Sequence, residues 1–548
     1  MESLMVNLRL LTLGPILGLM AVACGPVDYT LTAPESLRTH VGKPLQMNVT
    51  VKSEKARRDP VTVTLHDLPS GVTAPAVTIP KDGSTANVAL QLLPTLNTPV
   101  STPVTVRATS GKLTHEQTVQ LTITPPPATH DTRFGDSGKI HMQVREGTIG
   151  VAQRQSETRL LLGGIHRDRA AVRAITMKGA VDTAFGQNGV TTLNVGGDLS
   201  DVSNMRILDK GRALVAGTVY EAITTEMGDV HHLARHLFIA RLDETGRLDP
   251  TFGKAGITTL KFSTMSITVT DMEVQPDGKV LMVVDASDYP VDGRGMSGSA
   301  HTIVRLLPSG APDPDFGTGG RIPLDYEDFY APAQLALTRE DKILVSLNPR
   351  VDRSSDDEFP AKFALMKLNP DGSRDASFGQ GGLAFVRVSD EYSNIEDLVE
   401  LGDGKILAAG EYWSNPGTDS GLALVRFNPD GGIDRTFAQE GIATLPMPDA
   451  RAGASALQVA TDGRIVVAGH YDGDAHNDGV IVARYTRSGQ LDKTFSFDGH
   501  LVDAVASHPQ DESLFVDEDG ILVTTISRPD YDDAEGSPEE FAAVRYWY

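Results

Sequence analysis

Cysteine is nearly absent from this sequence, and its scarcity settles several points at once. The single residue, Cys24, leaves no intramolecular disulfide and no cysteine-based metal site. Tryptophan occurs only at Trp413 and Trp547, so no repeat of the chain is marked by a recurring indole. Long apolar runs with a 3.6-residue period are missing, which argues against helical bundles. No G-x-S-x-G elbow, Walker pattern or phosphate-cradling glycine loop occurs, so the signatures of α/β-hydrolases and P-loop enzymes are lacking. Positive charge is in deficit, with a formal net charge of −23. Nucleic acid and anionic lipid surfaces repel such a chain; it suits solubility, cations or basic partners.

What is present points to β structure. At 548 residues a single core is improbable, and two or more domains are expected. The 40% hydrophobic content is enough for packed cores, and 53 Gly with 32 Pro point to many short strands joined by tight turns. The first 23 residues carry Arg9, then the apolar run Leu10–Met20, then Ala21-Val22-Ala23. That layout is a secretory signal. Cys24 follows directly and resembles the lipobox of bacterial lipoproteins, whose thiol is diacylated. The resemblance implies a membrane partner through lipid on Cys24 and a place in the bacterial envelope, at the outer membrane or cell surface. One departure is Ala21, where the family prefers Leu. Ala21-Val22-Ala23 also reads as an ordinary A-x-A cleavage site, which would give a soluble secreted protein with an incidental cysteine.

Residues 26–124 alternate with period two, as in Leu45, Met47, Val49 and Val51, or Val119, Leu121 and Ile123. Turn clusters such as Pro69-Ser70-Gly71 separate the segments. Strands at this spacing predict an antiparallel sandwich, and the segment resembles the immunoglobulin-like modules of bacterial surface proteins. Residues 125–130 begin with three prolines and read as a stiff linker.

Residues 131–548 are repeats. Asp-x-x-Phe with Gly four residues after the Phe occurs seven times, from Asp131, Phe134 and Gly138 to Asp492, Phe495 and Gly499. The first and last Phe are 361 residues apart over six intervals, a period of about 60. Between these marks lie hairpin signals such as Pro276-Asp277-Gly278-Lys279 and Gly402-Asp403-Gly404-Lys405, then a strand ending in a basic residue, as at Arg241, Arg305 and Arg426. These residues resemble the delta-60 repeat family of bacterial proteins, and their order is similar to NHL-type propeller repeats. The resemblance implies an all-β chain whose repeat region is a seven-bladed β-propeller. Each blade has strands a (before the Asp-Gly turn), b (after it), c (ending in the basic residue) and d (after the Gly).

The repeat region starts on a d strand, Gly138–Val144, and stops on a c strand, Phe541–Tyr548. Joining them would close the ring and remove its open edges. Each basic residue precedes an Asp by eight positions (nine from Arg173 to Asp182), which predicts an ion pair pinning each blade. Arg545 has no Asp after it, so its partner is expected to be Asp131.

Asymmetry falls in the b–c connections, whose aromatic and acidic residues include Tyr289, Asp357, Trp413, Asp474 and Asp532. Long loops on a rigid scaffold are where binding resides, so these are the candidate ligand-binding residues. A solvated rim with incidental aromatics is the alternative. His231, His232 and His236 have a spacing that would suit a metal if helical. Asp472, Asp474 and Asp478 loosely resemble a calcium loop, so weak Ca²⁺ is the only cofactor suggested. Two functions follow. One is an envelope lipoprotein that binds an unknown envelope protein or glycan through the b–c face. The other is an extracellular hydrolase or lyase acting in the central channel. The enzyme would gather non-repeating Asp, Glu, His or Arg side chains at one point of the channel; the binding module would present a broad aromatic or acidic surface.

Overall fold

The structure is a computed structural model. It describes residues 27–54, 56–57, 59–81, 83, 85–92, 99–144, 146–224, 230–262, 266–288, 297–324, 330–349, 362–414, 419–448, 450–473, 478–506, 508–527 and 539–548. Among them are strands and one 3₁₀ turn, and no helix long and apolar enough to cross a membrane. The chain divides after Pro126 into two compact units.

In the first unit, one sheet runs Thr30–Thr32, Leu45–Lys52, Thr85–Leu92, Val72–Thr73. The other runs Ser36–His40, Leu113–Thr124, Val100–Ser110, Val61–His66, Val77–Ile79. Alternate residues point inward, so Met47, Val49 and Val51 of one sheet pack on Val61, Val63, Val106, Ala108 and Val119 of the other. Each fully buried Val contributes about 1.5–3 kcal/mol to this core.

The second unit holds seven sheets among the described residues. Their first strands are Ile149–Arg154, Asn204–Ile207, Ser266–Val274, Tyr330–Leu337, Tyr392–Glu400, Arg451–Val459 and Pro509–Val516. Each touches the next, and the last touches the first, so they ring a central channel. The other strands follow outward in chain order in six sheets. The seventh runs Pro509–Val516, Gly520–Ser527, Glu540–Trp547, and then Lys139–Gln143 from the start of the unit. Lys139 stands opposite Val544 and Gln143 opposite Glu540. Further main-chain bonds extend this ladder, from Asp131 N–H to the Arg545 carbonyl at 2.8 Å and from Val144 N–H to the Glu539 carbonyl at 2.9 Å. Lys139 Nζ also reaches Asp503 of the sixth sheet at 2.7 Å, so the returning strand clamps two sheets.

The repeated motif builds the corner between the third and fourth strands. In Asp249-x-Thr251-Phe252, the Asp carboxylate accepts the Thr251 N–H at 2.9 Å, and the Phe252 N–H bonds the Asp249 carbonyl at 3.1 Å. The Phe ring is buried, with the Arg241 guanidinium 4.9 Å above its centre. The Gly four residues on lies at φ between 84° and 99° in all seven copies, a region a Cβ disfavours. The basic residue completes the corner at Arg241–Asp249 and Arg305–Asp313 (both 2.8 Å), Arg426–Asp434 (2.7 Å), Arg484–Asp492 (3.0 Å) and Arg545–Asp131 (3.2 Å).

Two of the seven expected pairs are replaced. Arg173 donates to His166 Nδ1 at 3.0 Å, and Asp182 is taken by Arg159 at 2.6 Å. Lys367 lies over the Phe378 ring, and Asp375 is taken by Lys342 at 2.8 Å. The cause is a second cation at the start of the b strand in these two sheets, Arg159 and Lys342. Lys405 and Arg464 also reach their corner Asp, each at 2.8 Å, beside the third-strand Arg. Where the third-strand residue is displaced or is the single-headed Lys, the b-strand cation suffices.

Candidate functional site

The channel wall is made by β-bulges. Six of the seven inner strands carry one extra residue against their partner, at Gly150, Thr270, Gln334, Glu396, Ser455 and Glu512, the last two-residue step including Asp511. The second sheet instead breaks its inner edge at 201–203. A bulge re-aims a side chain out of the pleat. All these residues, with Ser203, line a cavity of 1130 Å³ in the channel.

On one side of this cavity, charges are matched. Arg206 bonds Asp271 at 2.7 Å and Glu273 at 3.0 Å. Asp271 also accepts the Met272 and Leu335 N–H groups at 2.7 and 2.8 Å, tying the third sheet to the fourth. Asp397 repeats this between the fifth and sixth sheets, accepting Leu398 and Leu457 N–H at 2.7 Å each. No ion pair to it forms among the described residues, and burial pushes its carboxyl up to about 7 against the more distant pull of Arg206. Burial likewise pushes Glu512 to about 7, where Ser455 and Thr525 hydroxyls donate to it. Burial, then the neighbouring Glu411, push Glu396 to about 8.

Between the fifth and sixth sheets the wall is left unsatisfied. Glu411 and Trp413 share one face of the second strand of the fifth sheet, Ile406–Ser414, opposite Asn394 and Tyr392 of the inner strand. Arg451 and Gly453 of the sixth sheet stand against them. The Arg451 guanidinium lies 5.0 Å from the centre of the Trp413 ring, and Tyr392 packs on the same indole with centroids 5.0 Å apart. Gly453 makes room: a Cβ there would stand 2.9 Å from both Glu411 Oε2 and His470 Cε1. Three buried polar atoms here make no hydrogen bond of good geometry among the described residues, namely Glu411 Oε2, Asn394 Oδ1 and the Trp413 indole nitrogen, although the indole still draws Glu411 down against its burial. Burial raises Glu411 against the pull of Arg451, and burial, then Arg451, lower His470 to about 4. The imidazole, 3.8 Å from Glu411, is therefore neutral near pH 7, and Glu396 is protonated. The cleft thus combines neutral donors and acceptors with the positive guanidinium of Arg451.

Of the candidate binding residues, Tyr289, Asp357, Asp474 and Asp532 lie outside the described residues, as does Cys24. Trp413 is described, but it stands on a strand rather than in a b–c loop. The second and third strands run further than turn signals suggested, because both keep pairing past the last buried residue. The same extension puts His231, His232 and His236 on the strand Val230–Leu242, where their spacing is not one helical turn. Sequence reasoning missed Glu396, Glu411, Arg451, Gly453 and His470. Glu396 shares its bulge position with Glu512, and no motif of the repeat marks any of the five.

A ring of sheets about a channel, built from a corner motif repeated at regular spacing, makes this chain a β-propeller repeat protein. The family described as "Domain of unknown function (DUF5122) beta-propeller" matches residues 275–316, 360–378, 401–437 and 460–495. No curated protein matches the chain. Among solved structures it is similar to a mannose phosphorylase from Leishmania mexicana in complex with phosphate ion, at 14% identity and a TM-score of 0.25, over 51% of this chain and 82% of that one.

Proposed function

We propose that this protein is a bacterial envelope lipoprotein whose propeller binds an uncharged, hydroxyl-rich ligand, such as the end of a glycan, in the cleft around Glu411 and Trp413. In this reading residues 1–23 are a removed signal and Cys24 is diacylated. An immunoglobulin-like sandwich (26–124) and a Pro-rich linker (125–130) carry a seven-bladed propeller (131–548). The cleft lies at the end of the strands from which the b–c connections leave.

The observation that carries the reading is the trio of buried polar atoms, one of them an indole N–H, that make no hydrogen bond of good geometry among the described residues. Each such atom costs about 1–3 kcal/mol while its bond is unmade. Sugar hydroxyls both donate and accept, and so answer a carboxyl oxygen, an amide oxygen and an indole N–H together. The test uses Trp547→Phe protein, in which Trp413 is the only indole. Titration with N-acetylglucosamine oligomers, muropeptides and mannan should give a saturable fluorescence change with at least one of them. Glu411→Ala, or Gly453→Ala filling the cleft, should remove it. A signal unchanged across that panel overturns the ligand class. The anchor is tested separately: the mature protein should enter detergent, and Cys24→Ser should release it.

A second reading, an extracellular hydrolase or lyase, is favoured by one observation. Glu396, Asp397 and Glu512 sit in the channel with carboxyls held near neutrality, the range a general acid needs. Turnover of any glycan in the panel, lost in Glu396→Gln while binding persists, would establish it over simple binding.

A further inference from the structure

A second cluster stands at the rim of the same cavity. Asp472 ends the second strand of the sixth sheet, Ile465–Asp472. Asp478 directly precedes the third, Gly479–Tyr485, and His508 directly precedes the inner strand of the seventh, Pro509–Val516. Residues far apart in the repeat are thus brought to one point by two strand ends and the connection into the next sheet. One ligand atom from each lies within 4.8 Å of the other two. His508 Nδ1 is 3.3 Å from Asp478 Oδ2.

Asp478 supplies the second, independent sign. Its side chain is only 5% exposed, yet no hydrogen bond from any described group reaches its carboxylate. Its ionic neighbour is His508, itself a member of the cluster. A carboxylate withdrawn from water without donors is unfavourable, and a second carboxylate brought beside it adds repulsion. A cation removes both penalties.

We propose that Asp472, Asp478 and His508 hold a divalent cation of the class that combines an imidazole nitrogen with carboxylate oxygens, represented by Zn²⁺. Ligand atoms about 2.0–2.2 Å from a tetrahedral Zn²⁺ are roughly 3.4 Å apart, close to the His508–Asp478 separation. The imidazole distinguishes this set from the calcium loop suggested by Asp472, Asp474 and Asp478, because Ca²⁺ takes oxygen ligands. Asp472 and His508 also line the channel cavity, so the ion faces the channel. Its ligands span the sixth and seventh sheets, and binding would lock the two together.

Isothermal titration of the tag-free, full-length protein with Zn²⁺, Mn²⁺ and Ca²⁺, each alone, tests this. One equivalent of Zn²⁺ should bind with micromolar or tighter affinity, more tightly than Ca²⁺. His508→Gln and Asp478→Asn should each weaken it at least tenfold and abolish the visible absorption of the Co²⁺-loaded protein. His508 is one-third exposed, so its variant should melt like the metal-free wild type, which separates ligand loss from misfolding. Asp498→Asn, which alters a different His–Asp pair with His500, should leave binding unchanged. The proposal is overturned if no ion binds, if the His508 variant binds Zn²⁺ as the wild type does, or if Ca²⁺ is preferred.

Discussion

The outer corners of the propeller and the wall of its channel are built from the same acidic residues to opposite ends. At the corners every carboxylate meets a cation. Lys342, then the Ser377 hydroxyl, hold Asp375 down to about 2. In the channel, burial outweighs the pull of any cation and lifts Asp397 to about 7 and Glu396 to about 8. Corner charges recur in every repeat and are satisfied in every repeat. The channel charges recur in only some of the sheets, and Glu411 Oε2 finds no hydrogen-bond partner of good geometry among the described residues. Symmetry here belongs to holding the ring together, and departure from symmetry belongs to what enters it.

The largest effect on this contrast should come from opening the ring. Deleting residues 131–145 removes the strand paired to Glu540–Trp547 together with Asp131. The whole propeller should lose its cooperative melt and aggregate through the exposed edge, seen by calorimetry and light scattering. Next, Asp434→Ala strands both Lys405 and Arg426 and the Thr436 turn. It should cost about 2–4 kcal/mol in denaturant unfolding, below the full buried-pair penalty because both cations are partly exposed.

The comparison also predicts a stability profile with two limbs. Corner carboxylates are depressed, so their stabilisation is present above the unfolded value near 3.9 and is lost as pH falls through their folded values. Channel carboxylates are raised, so their stabilisation is full below the unfolded value and is lost as pH rises through about 7 to 8. Melting temperature should therefore peak at about pH 4 to 5 and fall steadily toward about pH 8. Glu512→Gln, which keeps the Ser455 and Thr525 contacts but cannot ionise, should flatten the alkaline limb. A wild type equally stable at pH 6 and pH 9 would refute the raised channel. Arg545→Ala should be the mildest change, about 1 kcal/mol. Asp131 keeps Arg133 at 2.9 Å and Asp517 keeps Arg154 at 2.6 Å, while the strand ladder stays whole.

Much of the scaffold was legible because its signals are local and repeated. Asp-x-x-Phe and the Gly four residues on encode a turn whose φ needs Gly, and seven copies identify a propeller. The partnership of Arg545 with Asp131 was readable by counting, since one Arg lacked an Asp and one Asp lacked an Arg. Lys405 and Arg464 stood in plain sight in the Asp-Gly-Lys and Asp-Gly-Arg turns, but nothing in the turn's spacing said they would reach a corner Asp 28 or 29 residues later. The channel was not legible. A bulge shifts the inward alternation by one residue, so Glu396 reads as a surface position. The cleft at Glu411 draws on two sheets whose residues lie about 40 to 60 positions apart, a juxtaposition set by ring geometry rather than by any motif.

The strand Lys139–Gln143 has a consequence for the order of events during synthesis. It leaves the ribosome before almost all of the ring, and its hydrogen-bond partner, Glu540–Trp547, is the last strand of the ring to be made. For most of translation it has nowhere to go. A chain cut short anywhere in the final repeat would leave this strand unpaired and Lys139 without the sheet beside it. The first strand of the ring thus acts as a check on the ring itself: only a fully built ring can satisfy it, and an unfinished one displays a bare edge that quality-control proteases and chaperones recognise.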